Sequence, residues 1–165
     1  MAINQNKKFS KGVSIIEILI IAVILTVALS SVLGLVAFSL KTSTAIKETV
    51  QANNLAQEAI EAVKNFRDGT DWPTNGIGAL TTGVAYFSQK SADNPPKWQM
   101  SPGEEETASF KRKIVFDKVS RDYGSKNIET NYNPANDDQN SRKITATISW
   151  KNKKIEVITY LTNWK

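Results

Sequence analysis

Residues 12–40 read GVSIIEILIIAVILTVALSSVLGLVAFSL, and Glu17 is the single charge in that run. From Val13 to Leu40 there are 28 residues, and none besides Glu17 has an ionisable side chain. A bilayer core needs about 20 consecutive apolar residues to be crossed by a helix. Ile18 to Leu40 supplies 23 uncharged ones, so the segment is read as one membrane-spanning helix. Lys7, Lys8 and Lys11 lie ahead of the span. That bias places the N-terminal side in the cytoplasm and the rest of the chain outside. A carboxylate at mid-membrane costs about 2.5–3.5 kcal/mol on insertion scales, so one kept there needs a task and a partner.

The pattern resembles the class III signal of type IV prepilins and type II secretion pseudopilins. The residues that carry the resemblance are Lys7, Lys8, Lys11, Gly12, the segment Val13-Ser14-Ile15-Ile16-Glu17 and the apolar helix after it. The resemblance implies cleavage between Gly12 and Val13 by a membrane aspartyl peptidase, the prepilin peptidase. It also implies N-methylation of the new terminus at Val13. Val13 stands where the family more often has phenylalanine or methionine. Two other readings of the same run stay open. An ordinary secretory signal has an apolar core of roughly 7–15 residues ending at a small-residue site. Ala28-Leu29-Ser30 mimics such a site, but the apolar run continues past it. A plain single-pass anchor needs only the span and the lysines, and gives no reason for Glu17.

The chain has 165 residues, enough for one modest domain plus an anchor. It holds no cysteine, so no disulfide staples an external head. It holds no histidine either, which removes the commonest general base and metal ligand. The formal charge is +5, but three of those charges belong to the leader. Without them, 18 basic side chains face 16 acidic ones, a balance of +2. The high isoelectric point is therefore mostly a targeting effect, and nucleic acid is not an expected partner. Two basic runs, Lys111-Arg112-Lys113 and Lys151 to Lys154, are the candidates for a DNA-uptake surface. Basic strand edges also block aggregation, which is the alternative use of such runs.

Four stretches organise the chain: a basic leader over 1–12, a transmembrane helix over 13–40, an amphipathic helix over 41–68, and a β-rich head over 69–165. From Lys41 to Arg67 there is no proline and no glycine. Ala45, Ala52, Leu55, Ala56, Ala59, Val63 and Phe66 fall on one helical face, while Lys47, Glu58, Glu61 and Lys64 point elsewhere. Asp68-Gly69 and Trp72-Pro73 end the pattern. A helix from Ile18 to Arg67 spans about 75 Å, more than twice a bilayer core. Gly34 is a soft point within it, or a place of close helix contact.

Residues 69–109 are punctuated by Asn75-Gly76, Gly83, Pro95-Pro96 and Pro102-Gly103, and read as loops with one short strand over Gly83 to Ser88. Trp72, Tyr86, Phe87 and Trp98 are expected to cap a small core. Glu104-Glu105-Glu106 reads as a solvated patch. Three strand patterns follow. Phe110, Arg112, Ile114 and Phe116 alternate first; Lys143 to Trp150 alternates next; Lys154 to Trp164 places Ile155, Val157 and Leu161 on one side. Lys151-Asn152-Lys153 makes the last two a hairpin, and Tyr123 to Arg142 reads as a polar connection. The expected fold is α+β and pilin-like, a long N-terminal helix packed on a C-terminal antiparallel sheet. Leu55 to Asp68, with Ile148-Ser149-Trp150 and Leu161-Thr162-Asn163-Trp164, is similar to minor pilins and minor pseudopilins of the PilV type.

No catalytic motif is present: no phosphate-cradling glycine loop, no Ser-x-x-Lys and no Gly-x-Ser-x-Gly. A glycosidase built on carboxylates alone would need a cleft, for which a head of about 100 residues leaves little room. Asp137 and Asp138, with Asn133, Asn136 and Asn140, are weak candidates for calcium, at a spacing unlike an EF-hand. No cofactor and no enzyme activity are expected. What the resemblance implies instead is a minor pilin or pseudopilin, a filament subunit held in the cytoplasmic membrane before assembly. Its partners would be other pilin subunits, the prepilin peptidase, an assembly ATPase with its platform protein, and membrane lipid. A major pilin of the shaft and a membrane-anchored binding module that never polymerises are the alternatives. In the filament reading, Glu17 of one subunit pairs with the Val13 amine of its neighbour.

Overall fold

The computed structural model describes residues 12–164, so Lys7, Lys8 and Lys11 lie outside the described residues. The chain divides into two units, the first ending at Lys47 and the second beginning at Glu48. One helix, α1, runs over Ile15–Gly69. It passes unbroken through Gly34, where an added Cβ would meet nothing within 4 Å. A single glycine costs a helix only about 1 kcal/mol, which the apolar residues on either side absorb without a kink.

In the first unit the large apolar side chains of α1 from Ile15 to Ile46 are all exposed. This stretch is long and apolar enough to cross a membrane. Three hydroxyl groups in its apolar run bond back to the helix. Thr26 Oγ1 donates to the Val23 carbonyl at 2.8 Å, Ser30 Oγ to Thr26 at 2.8 Å and Ser31 Oγ to Val27 at 2.9 Å. Bonds of this kind satisfy a hydroxyl within its own helix, so these three groups can meet hydrocarbon with their donors paired.

In the second unit the remainder of α1 packs on an antiparallel sheet. Its strands are β1 (Ala85–Lys90), β2 (Trp98–Pro102), β3 (Glu105–Thr107), β4 (Phe110–Ser120), β5 (Asp137–Trp150) and β6 (Lys153–Thr162). The order across the sheet is β2-β1-β4-β5-β6, with β3 added alongside β4. The expected α+β layout is thus the observed one. The helix buries Ala52, Ala56, Ala59, Ile60, Ala62, Val63 and Phe66, close to the stripe read from the sequence. Alanines dominate because a small side chain lets the helix backbone come near the sheet. Ala52 and Ala56 meet Phe110, Ile148 and Trp150. One to three turns on, Ala59, Val63 and Phe66 meet Ile114, Phe116, Ile144, Ala146 and Leu161.

The alternation in β4 and β5 is the one the sequence predicts. Phe110, Ile114 and Phe116 are buried on one face, as are Ile144, Ala146, Ile148 and Trp150. The β5–β6 hairpin closes with Trp150 opposite Lys153, and Lys151 adopts φ 51° in the turn. Trp72 and Tyr86 are buried in the core, and Trp98 packs against it half-buried. Tyr86 meets Phe116 edge to face, with ring centroids 5.6 Å apart.

Two expectations need correction. The region 69–109 contributes three strands, not one. β2 pairs β1 from Tyr86–Pro102 to Lys90–Trp98, and it tolerates Pro102 because it is an edge strand. The segment from Tyr123 to Arg142 is not wholly a connection, since β5 already begins at Asp137. Its polar first residues are held by pairing with β4, Ser120 standing opposite Asp137. Glu104-Glu105-Glu106 is solvated as expected, with Glu104 and Glu106 exposed, and it is also paired. β3 lies antiparallel to β4, so each glutamate meets one member of the basic run: Glu104 with Lys113, Glu105 with Arg112 and Glu106 with Lys111.

Candidate functional site

Gly12, Val13 and Ser14 precede the helix and are exposed. The Ser14 carbonyl accepts from the Glu17 N–H at 3.0 Å and from the Ile18 N–H at 3.2 Å, so Ser14 is the residue at which the helix starts. Glu17 lies in the first turn. Ser14-Ile15-Ile16-Glu17 also has the Ser-x-x-Glu spacing of a capping box, a signal that reading the segment for its charge alone overlooks. Neither the Ser14 hydroxyl nor the Glu17 carboxylate makes a side-chain hydrogen bond or ion pair among the described residues.

Magnitudes separate the two uses of Glu17. An acid near a helix N-terminus gains about 0.3–1 kcal/mol from the helix dipole. Holding it at mid-membrane costs about 2.5–3.5 kcal/mol. Glu17, in the first turn, stands at the end of the apolar run and not at its middle, so its own cost is smaller, and the dipole offsets part of it at the helix start. Gly12 offers an exposed, open backbone directly before it: a Cβ added there would meet nothing within 4 Å.

No family model, curated protein or solved structure matches this chain.

The other sequence candidates fall into place on the second unit. Arg112 is on the buried face of β4, only 7% exposed, where Nε donates to Glu105 Oε2 at 2.7 Å and Nη1 lies 3.4 Å from Glu58 Oε1 of α1. Lys151 Nζ donates to Glu48 at 2.6 Å and Lys154 Nζ to Glu156 at 2.9 Å. Both basic runs thus spend charge on intramolecular pairs.

Asp137 and Asp138 do not converge on one point. Asp137 accepts from the Tyr132 hydroxyl at 3.1 Å, whereas Asp138 pairs with Arg121 and accepts from the Asn140 N–H at 3.0 Å. Among the described residues no three acidic, histidine or cysteine side chains come together as a metal would need. Burial alone would raise the Asp138 carboxyl, but hydrogen bonds from Ser141, Arg121 and Asn140 outweigh it and hold it below its ordinary range. A depressed carboxyl adds stability that is present above its unfolded value of about 3.9 and is lost as pH falls through the folded value. The melting temperature of the chain therefore drops on acidification below about pH 4. An Asp138→Asn variant starts lower at neutral pH and loses less over the same window. Equal acid losses in the two proteins would contradict this assignment.

Proposed function

We propose that this chain is a minor pilin or pseudopilin, a non-enzymatic subunit of a type IV pilus or of a type II secretion-like filament. The observation that carries the reading is Glu17, a carboxylate with no partner among the described residues, in the first turn of an exposed apolar helix and five residues after Gly12. The helix-on-sheet head supports it, because the second half of α1 packs along the sheet as the expected pilin-like layout has it. In this reading the chain waits in the cytoplasmic membrane with its head outside. The prepilin peptidase cuts after Gly12, and the freed Val13 carries a basic amine with a pKa of roughly 7.7–8.0. Glu17 of the next subunit then pairs with that amine.

Mass spectrometry of the N-terminus, on protein purified from its own membranes, tests the reading. A mature chain beginning at Val13 and one methyl group heavier is the expected result. A chain that still carries Lys7, Lys8 and Lys11 would overturn it in favour of a plain anchored module.

A further inference from the structure

The loop joining β4 to β5, residues 121–136, covers part of the sheet face turned away from α1. Beneath it lies a cleft of about 440 Å³, within the size range of small-ligand sites. Sequence reasoning left little room for a cleft on so small a head; the folded loop supplies one. The loop contributes Glu129 and Tyr132, and the strands contribute Asp117, Lys118, Lys143 and Tyr160. Asp117, Lys143 and Tyr160 form a straight row across β4, β5 and β6, each opposite the next.

Several basic residues elsewhere on the sheet are already paired. Lys111, Arg112, Lys113 and Lys154 each have a glutamate partner. Among the described residues, the side chains of Asp117, Lys118 and Lys143 have neither an ion pair nor a hydrogen bond, although Asp117 and Lys143 stand opposite one another. Glu129 is half-committed: Oε1 accepts from Asn136 Nδ2 at 2.9 Å, while Oε2 is buried without a donor from the protein. Asp117 and Lys143 thus offer the cleft one carboxylate and one ammonium with no partner among the described residues.

Their mixture selects the ligand. An anion such as phosphate would meet the Asp117 carboxylate. A metal ion would meet the Lys143 ammonium. An apolar molecule would strip water from both and give nothing in return. A neutral polyol satisfies both kinds at once, because each hydroxyl donates to a carboxylate and accepts from an ammonium. Tyr132 and Tyr160 are 43% and 46% exposed, and their rings offer flat apolar surfaces for the C–H face of a sugar. We infer that this cleft binds a neutral carbohydrate. The inference goes beyond the filament reading and does not depend on it.

Saturation-transfer NMR on the full chain in lipid nanodiscs tests it. The probes are glucose, galactose, mannose, N-acetylglucosamine and their disaccharides, with inorganic phosphate and glycine as controls. At least one saccharide binds saturably, and Tyr160→Ala and Asp117→Asn each weaken it at least about tenfold, a loss of about 1.4 kcal/mol. The Asp117 side chain has no partner among the described residues, so Asp117→Asn leaves the melting temperature unchanged. Should Tyr160→Ala melt lower, the near-isosteric Asp117→Asn decides alone. The inference is overturned if no saccharide binds, if binding ignores both substitutions, or if phosphate or glycine occupies the cleft instead.

Discussion

In the filament reading proposed above, replacing Glu17 with leucine is expected to leave membrane insertion and leader removal intact and to lower incorporation into filaments by at least about tenfold. Insertion improves, if anything, because the one charge in the apolar run is gone. The helix itself survives: the first-turn acid contributes only about 0.3–1 kcal/mol through the dipole. Assembly is where the loss falls. At about 4 Å and an effective dielectric of about 20, a carboxylate and an amine attract by roughly 4 kcal/mol before desolvation is subtracted. Even a third of that is a factor of about ten in an equilibrium. Apolar helices gain little by leaving lipid for one another, so packing of Ile15, Ile18 and Leu19 does not replace the pair. Glu17→Gln keeps the shape and loses the charge, and falls with leucine if the pair is ionic. Sheared filaments quantified against membrane-held subunit give the readout. Normal incorporation of the leucine variant would remove Glu17 from assembly.

The largest loss of stability is expected from Trp72→Ala. Trp72 is 6% exposed and closes the core where the chain leaves α1. The helix ends at Gly69, and Thr70 Oγ1 donates back to the Phe66 carbonyl at 2.6 Å. That turn sends Trp72 under the sheet, where its indole Nε1 donates to the Gln139 carbonyl of β5 at 3.0 Å. Gly78 packs directly on the ring, and a Cβ there would sit 2.5 Å from Cδ1. Truncating a buried tryptophan costs about 3–5 kcal/mol, a large part of the roughly 5–15 kcal/mol that holds a typical domain. Trp72→Phe retains most of the ring and gives up the hydrogen bond, for about 1–3 kcal/mol. Chemical denaturation of the full chain followed by circular dichroism measures both. A change below about 1 kcal/mol for the alanine variant would mean that the core closes without this ring.

Both predictions draw on residues that stand out in the sequence, but not equally. Glu17 is visible because it breaks a run of one kind. Trp72 is visible only as an aromatic in a loop, and its partner Gln139 lies 67 residues on. Arg112 shows the same gap. Its alternation with Phe110 and Ile114 places it on the inner face, yet nothing local says which carboxylates meet it there. The pairing of β3 with β4 brings Glu105 to it, and the packing of α1 brings Glu58. The acidic run that reads as solvated is half of a charge zipper, because antiparallel pairing inverts one triplet against the other.

By itself the sequence determined the elements whose signal is periodic and local. The apolar run marks a helix long and apolar enough to cross a membrane, the stripe from Ala52 to Phe66 marks the packed half of α1, and alternation marks β4, β5 and β6. Each needs only neighbours within a turn or two along the chain, where helix and strand geometry translate spacing directly into a face. Only the tertiary structure decided the order of the strands, the existence of β2 and β3, the partners of the charges, and the cleft under residues 121–136. Those depend on residues far apart in sequence being brought opposite one another. No spacing rule records them, because the energy that selects them arises only once the core has closed.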